Sequence, residues 1–195
     1  MIEKLKYKLN SNNSEKPSGN PQASVLIAIL NYGKFIEAPE LIYTQRSGNL
    51  STHSGEVSFP GGKADKTDSN LYETAMRESN EEINLNGEDT TKLGKLNYLI
   101  SRHKIEVNPF VASIDKPQSL EPNEEIQDIF TVPLNFLLDK ENIQREAIER
   151  HGSMWQVPTW RIKNQKIWGL TAMITVNFLN VCFDANIEII EGELK

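Results

Sequence analysis

Cysteine is almost absent from this sequence: Cys182 is the single one in 195 residues. That excludes a disulfide within the chain and any multi-cysteine zinc site, and its place in the apolar run 173–183 makes it a core residue by expectation. Positive charge is also scarce. Twenty-one Lys and Arg stand against 27 Asp and Glu, a formal net charge of −6, whereas nonspecific binding to nucleic acid or an anionic membrane needs an excess of Lys and Arg. Neither partner is expected. No stretch reaches the roughly 18 uninterrupted apolar residues of a membrane span. The N-terminus alternates lysine with apolar residues and shows no continuous apolar stretch of the signal-peptide kind, and Glu193-Leu194-Lys195 is not a peroxisomal address, so a cytoplasmic location is expected.

A chain of this length is enough for one compact domain with a sizeable core and short for two. Residues 11–20 are rich in Ser, Asn, Pro and Gly, which predicts a flexible N-terminal lead-in over 1–20, with a short amphipathic piece at its start, and a single domain over 21–195. Apolar patterning predicts strands at 25–30 and 41–44 and an antiparallel pair at 93–100 and 107–114. A further strand is expected at 129–132, ended by Pro133. Helices are expected at 70–84, 134–138, 141–150 and 170–183, the last opened by Gly169, and a hairpin at 154–162 with 167–168. No internal repeat is visible. The order implies a mixed sheet with helices on its faces.

Three glutamates are the most informative residues. Glu78, Glu81 and Glu82 lie three and four residues apart, which places them on one face of a helix. Tyr72, Ala75, Met76, Ser79 and Ile83 fall on a packing face, and Thr74 and the glutamates on a face about 100° away. Asp68, Ser69 and Asn70 each suit the N-cap, and Asn84 suits the left-handed residue that closes a helix. Three crowded carboxylates repel one another in the bare protein, and a divalent cation would offset that repulsion. Upstream, the FPGG turn at 59–62 combines a fixed backbone at Pro60 with two glycines that allow positive φ and close approach to a ligand. A solvated acidic face and a plain tight turn are the alternatives for either feature alone; their succession favours a metal site.

The stretch GGKADKTDSNLYETAMRESNEEINL, residues 61–85, resembles the Nudix box, matching its charged half at Arg77, Glu78, Glu81 and Glu82. LIYTQRSGNLSTHSGEVSFPGG at 41–62 is similar to the signature of the coenzyme A pyrophosphatase branch of that family. VNPFVASI at 107–114, DIFTVPL at 128–134 and IWGLTAMI at 167–174 resemble the branch in order and spacing. Four residues depart from the pattern: Asp68 stands for the first Glu with one extra residue before Arg77, Ser79 for an aliphatic residue, Asn84 for a glycine and Ser51 for an arginine.

The resemblance implies the Nudix fold, an α/β/α sandwich around a mixed sheet, and hydrolysis of a diphosphate with Mg²⁺ or Mn²⁺. It also implies Glu78 and Glu82 as metal ligands, Glu81 as a third ligand or water-activating base, and the Gly61 carbonyl in the metal shell. Phosphoryl transfer needs mainly positioning and charge neutralisation, which carboxylate-bound Mg²⁺ or Mn²⁺ supplies. Arg77 can pair with Glu81 four residues on and orient it. The implied substrate is a small-molecule diphosphate, coenzyme A and its thioesters, cleaved to 3′,5′-ADP and 4′-phosphopantetheine. A broad nucleotide-sugar or ADP-ribose pyrophosphatase and a catalytically silent Nudix-fold binding module are the alternatives. Assembly is open, a homodimer included.

For the substrate, Gly61 and Gly62 offer backbone approach and Arg46 a guanidinium that matches phosphate oxygens, a surface ion pair being its other reading. Arg102, His103 and Lys104 form a basic turn suited to the 3′-phosphate or diphosphate of coenzyme A, or else a solvated hairpin tip. Of the loop acids Glu121, Glu124 and Glu125, Glu124 is the candidate base, with a plain acidic loop as the alternative. Tyr43, Trp155, Trp160 and Trp168 are expected either to stack on the substrate or to sit in the core.

Overall fold

The computed structural model describes residues 2–11, 16–30, 39–48, 55–150 and 152–192. Ser51 and the last three residues lie outside that set. The chain runs α1 (Ile2–Ser11), β1 (Gln22–Leu30), β2 (Glu40–Arg46), β3 (Val57–Ser58), β4 (Gly61–Lys63), α2 (Leu71–Ile83), β5 (Thr90–Lys95), β6 (Leu99–Ile100), β7 (Glu106–Ile114) and β8 (Ile126–Pro133). It continues through α3 (Leu134–Leu138), β9 (Gln144–Arg150), β10 (Ser153–Ile162), β11 (Gln165–Ile167), α4 (Gly169–Phe183) and β12 (Ile190–Glu191).

At the centre, β1 runs parallel to β7 along its whole length, Gln22 opposite Glu106 through Leu30 opposite Ile114. Strands buried on both faces read as near-continuous apolar runs, and alternate side chains of β1 serve two cores. Leu26, Ala28 and Leu30 face α2, which lays Ala75 and Ile83 against them; Ile27 and Ile29 face the opposite core, which holds α1 and α4. The expected mixed sheet with helices on both faces is present, eight strands in all, and a second sheet of β9, β10, β11 and β12 adds to the α4 side. No helix among the described residues is long and apolar enough to cross a membrane.

One irregularity creates the site. β1 and β2 pair only through Ile29–Leu41 and Leu30–Glu40 and then splay apart. The wedge between them is filled by β3, which pairs with β2 at Thr44 and Gln45, and β4, which pairs with β1 from Ala23 to Val25. The FPGG turn steps from one to the other, with the Leu26 N–H donating to the Pro60 carbonyl at 2.9 Å. Alternation along β2 sends Ile42 toward α2 and Tyr43 to the other face. Arg46 shares the parity of Ile42 and therefore points toward α2.

Two expectations need correction. Residues 141–150 read as a helix because Glu, Gln, Arg and Ala are good helix formers, yet they form a one-turn 3₁₀ segment, Lys140–Asn142, and then β9. Seven residues of β9 pair in register with β10, from Arg150 opposite Ser153 to Gln144 opposite Thr159, and sheet pairing overrides local propensity. The lead-in expected over 1–20 is, at Ile2–Ser11, a packed helix whose Leu5 and Leu9 are buried against β5 and α4. Burying such leucines contributes about 2 kcal/mol each. A side chain at Gly94 would meet Leu9 Cβ at 2.6 Å, so the glycine makes room for the helix.

Glu106 ties the segment before β1 to β7. Burial pushes its carboxyl up, but bonds from the Ser18 backbone N–H and hydroxyl and from the Gln22 and Asn108 amides outweigh this and hold it at about 2, below its ordinary 4.5. A depressed carboxyl adds stability above its unfolded value that is lost as pH falls through the folded one. Glu106→Gln is therefore expected to lose about 2 kcal/mol at neutral pH and to flatten the stability profile between pH 4.5 and 2. Urea unfolding of both proteins across that range checks this; parallel profiles would contradict it.

Candidate active site

Helix α2 begins and ends as its sequence suggests. Asn70 is the N-cap, its Oδ1 accepting from the Tyr72 and Glu73 N–H groups, while the Glu73 carboxylate reaches back to the Ser69 N–H. At the far end Asn84 takes φ 56° and its N–H donates to Asn80, with the Leu85 N–H on Ser79, a left-handed closure. Two further C-terminal carbonyls are satisfied from outside: Glu121 N–H donates to Ile83 and Asn123 N–H to Glu82, at 3.2 and 3.0 Å. The loop 121–125 is thus stapled to the end of the helix that carries the glutamates.

Asp68 has a definite place. It accepts a fork from Arg77, Nε on Oδ1 at 2.9 Å and Nη2 on Oδ2 at 3.1 Å, and is also bonded by the Thr74 hydroxyl and the Asp65 N–H. The Arg77 guanidinium and these donors hold its carboxyl well below the usual range. So oriented, Arg77 Nη1 contacts Glu78 Oε1 at 2.9 Å and Glu81 Oε2 at 3.2 Å.

The three glutamates differ in environment. Glu82 is buried, 4% exposed; its Oε2 accepts the Gly61 N–H at 3.0 Å and its Oε1 meets Arg46 Nη1 at 3.4 Å. Burial pushes its carboxyl up to about 7 against the pull of Gly61 and Arg46, and the charges of Glu78 and Glu125 push the same way as burial. Glu78, half-buried, is also raised, chiefly by burial, with Arg77 opposing and Glu81 and Glu125 adding to the rise. Glu81 is 55% exposed. Beside them Gly62 lies so close to the Glu78 carboxylate that a Cβ there would stand 2.4 Å from it.

Glu125, from the loop, is the fourth acid of the cluster. Its Oε2 meets Arg46 Nη2 at 3.3 Å, and its backbone carbonyl accepts the Ser47 N–H at 2.7 Å. Glu124, the loop acid singled out from sequence, has no contact with the cluster among the described residues. Composition cannot separate two adjacent glutamates; the pairing of Arg46 with Ile126 across β2 and β8 does. Arg102 and Lys104 lie in the turn between β6 and β7, where Arg102 Nε donates to His103 Nε2 at 3.1 Å, and among the described residues neither bonds to the glutamates. Tyr43 and Trp160 are core residues, bonded to Thr175 and to the Leu137 carbonyl, while Trp168 keeps an exposed face under Lys166.

Four carboxylates beside a glycine turn form an all-oxygen donor set, the kind a hard divalent cation takes. Among the described residues no three acidic or histidine side chains converge on one point, because Arg77 holds Glu78 and Glu81 while Arg46 holds Glu82 and Glu125. The donor chemistry fits Mg²⁺ or Mn²⁺, with the two arginines standing as internal counter-ions. At Gly61, the group seen to meet a carboxylate is the N–H.

The family model described as the NUDIX domain matches residues 20–156. This chain belongs to the Nudix family. Over 154 residues it is 38% identical to a protein of Pectobacterium atrosepticum called uncharacterized Nudix hydrolase NudL, covering 78% of each chain. It is 39% identical over 142 residues to the human mitochondrial coenzyme A diphosphatase NUDT8, covering 70% of this chain and 60% of that one. Among solved structures, a C. elegans Ap4A hydrolase in a binary complex matches with TM-score 0.50 at 20% identity, over 58% of this chain and 80% of that one. RenU, a Nudix hydrolase of M. smegmatis, also gives 0.50, at 17% identity over 60% and 73%. At such identities the likeness shows the Nudix fold alone.

Three departures from the Nudix box now have physical accounts. Asp68, on a loop one residue longer, reaches Arg77 as a fork. Ser79 is buried where an aliphatic residue is usual, and its hydroxyl is satisfied by the Ala75 carbonyl at 2.6 Å. Asn84 adopts the left-handed conformation that a glycine would.

The two glycines are expected to respond differently to an added methyl. At Gly61, with φ 148°, a Cβ would lie 2.2 Å from the Ser24 carbonyl oxygen, a backbone atom that cannot move aside. Gly61→Ala should cost about 3 kcal/mol or more of stability. At Gly62 the obstacle is the end of the Glu78 side chain, so Gly62→Ala should keep its melting temperature and lower kcat by about 10-fold or more through a displaced carboxylate. Calorimetric melting with a turnover assay separates the two; equal melting losses would contradict the assignment.

Proposed function

We propose that this Nudix hydrolase cleaves the diphosphate of coenzyme A and its thioesters, yielding 3′,5′-ADP and 4′-phosphopantetheine or its acyl form. The observation that carries the substrate is the similarity to a human protein named as a coenzyme A diphosphatase, supported by the motif around Arg46 and the FPGG turn. Hydrolysis of a small-molecule diphosphate is the coarser activity, and it follows from family membership.

In this reading Glu78, Glu82 and Glu125 hold Mg²⁺ or Mn²⁺, with Glu81 as a further ligand or as the base. When bound, the metal supplies positive charge against the diphosphate oxygens and acidifies the attacking water. The chain's own residues do the rest. Glu81, exposed and held among the described residues by Arg77 alone, is suited to take the proton of the water as its oxygen attacks phosphorus. The bridging P–O bond breaks, and the leaving phosphate carries the electron pair. Gly61 fixes Glu82 through its N–H, Gly62 lets the Glu78 carboxylate approach the turn, and Asp68 keeps Arg77 aimed at Glu78 and Glu81. Arg102 and Lys104 remain candidates only for a distant part of a long substrate. A cytoplasmic location is part of the same proposal.

Incubation with coenzyme A, ADP-ribose, NADH and dinucleoside polyphosphates under Mg²⁺ or Mn²⁺, with products weighed by mass spectrometry, tests the substrate. Best turnover on coenzyme A with release of 3′,5′-ADP is expected. Faster cleavage of any other compound would transfer the assignment to the broader nucleotide pyrophosphatases, and turnover of none would leave a binding module. Glu82→Gln keeps the acceptor for the Gly61 N–H, so its fold should survive while turnover falls at least about 10²-fold, as for loss of a transition-state electrostatic contact. Near-normal activity would remove Glu82 from the metal shell.

A further inference from the structure

The two arginines of the site are held in different ways. Arg77 is anchored by its fork on Asp68, at 2.9 and 3.1 Å, which leaves Nη1 to meet Glu78 and Glu81. Among the described residues Arg46 has no such anchor. Its Nη1 and Nη2 reach Glu82 and Glu125 at 3.4 and 3.3 Å, long beside the roughly 2.7–2.9 Å of charge-assisted bonds. Its Nε is buried with no hydrogen-bond partner among the described residues. A buried donor left unpaired costs about 1–3 kcal/mol, so the arrangement around Arg46 is incomplete and an acceptor oxygen would complete it.

The carboxylates that Arg46 bridges come from different elements, Glu82 from α2 and Glu125 from the loop before β8. Arg46 supplies the positive charge between them. A divalent cation bound by those oxygens would compete with the guanidinium for the same lone pairs and repel it at close range. Displaced, the guanidinium stays beside the FPGG turn, because β2 is fixed there on both edges by β3 and β8. Its planar fork matches phosphate oxygens.

We propose that Arg46 is an exchangeable counter-ion: it bridges Glu82 and Glu125 in the metal-free protein and, once a divalent cation takes those carboxylates, turns its guanidinium, Nε included, onto an oxygen of the diphosphate. The proposal rests on the metal-dependent reading above. It makes Arg46 a brake on metal binding in the absence of substrate and a substrate ligand in its presence, coupling the two occupants in one site.

Calorimetric titration of the full chain with Mn²⁺ alone, then with methylenediphosphonate at saturating Mn²⁺, reads both halves without turnover. Arg46→Met is expected to bind Mn²⁺ about 10-fold more tightly and the diphosphonate about 10-fold more weakly than the unaltered chain, each about 1.4 kcal/mol. It should also melt lower without metal and gain more from added Mn²⁺. Arg46→Lys, which keeps the charge but cannot span both carboxylates, should fall between the two for both ligands, and it carries the test if the Met variant does not fold. Equal or weaker Mn²⁺ binding in the variants, or undiminished diphosphonate binding, overturns the exchange. Should the unaltered chain take up no Mn²⁺, the metal reading itself fails and the exchange with it; similar uptake by all three sinks the exchange alone.

Discussion

Mutual repulsion among carboxylates is the constraint around which this molecule is arranged. Glu78, Glu81 and Glu82 share one helix face, Glu125 is brought beside them from a loop, and two of the four, Glu78 and Glu82, are raised chiefly by burial and further by the charges of neighbouring acids. Left alone, such a cluster would favour protonation or an open helix end. What holds it is a pair of guanidinium groups and a backbone N–H. Arg77 works along the helix, Arg46 across from the sheet, and Gly61 N–H fixes the most buried of the acids. Each of these donors is itself held: Arg77 by Asp68, Gly61 by the β1–β4 pairing, Arg46 by its place at the end of β2. The site is a charge problem whose solution reaches into the main sheet.

The splay of β1 from β2 is the architectural counterpart. Two strands that stayed paired would leave no wedge for β3 and β4, and the FPGG turn would have no path between them. Because β4 pairs with β1, Gly61 and Gly62 are set against α2 with strand-like precision, even though they belong to a turn in sequence. The loop that carries Glu125 is fixed by an equally economical device. It satisfies carbonyls at the end of α2, so closing the helix and delivering the fourth carboxylate are one event. Sites built on regular elements hold their geometry better than sites on free loops, and here the one loop contribution is bonded to a helix end.

Much of this was readable from residues alone. The boundaries of α2 follow from Asn70 and Asn84, whose side-chain and left-handed preferences are local, and local chemistry is what a sequence displays. The glutamate triplet and FPGG are likewise contiguous signals. The failures are of another kind. Residues 144–150 carry helix-forming side chains, and only the long strand β10 beside them makes them a strand. Leu5 and Leu9 belong to a short amphipathic piece whose fate depends on a gap at Gly94 across the fold. Glu125 cannot be told from Glu124 without the register of β8 on β2. The role of Asp68 was obscured by a one-residue insertion that changes spacing but not reach. In each case the deciding partner is distant in sequence, and spacing rules carry no information about it.

A chain with net charge −6 that acts on an anionic diphosphate must overcome long-range repulsion with short-range attraction. A Debye length of about 8 Å at physiological ionic strength confines the unfavourable field to the surface, while within the site guanidinium groups act at contact distance. The cations of this chain are placed accordingly. Among the described residues Arg46 and Arg77 are the arginines that touch the four carboxylates, with side chains 22% and 30% exposed. A more basic protein would attract the substrate from further away but would also bind other polyanions. An acidic surface whose guanidinium groups are gathered at the site instead confines attraction to contact distance, and that dependence on contact is a source of selectivity the surface itself could not provide.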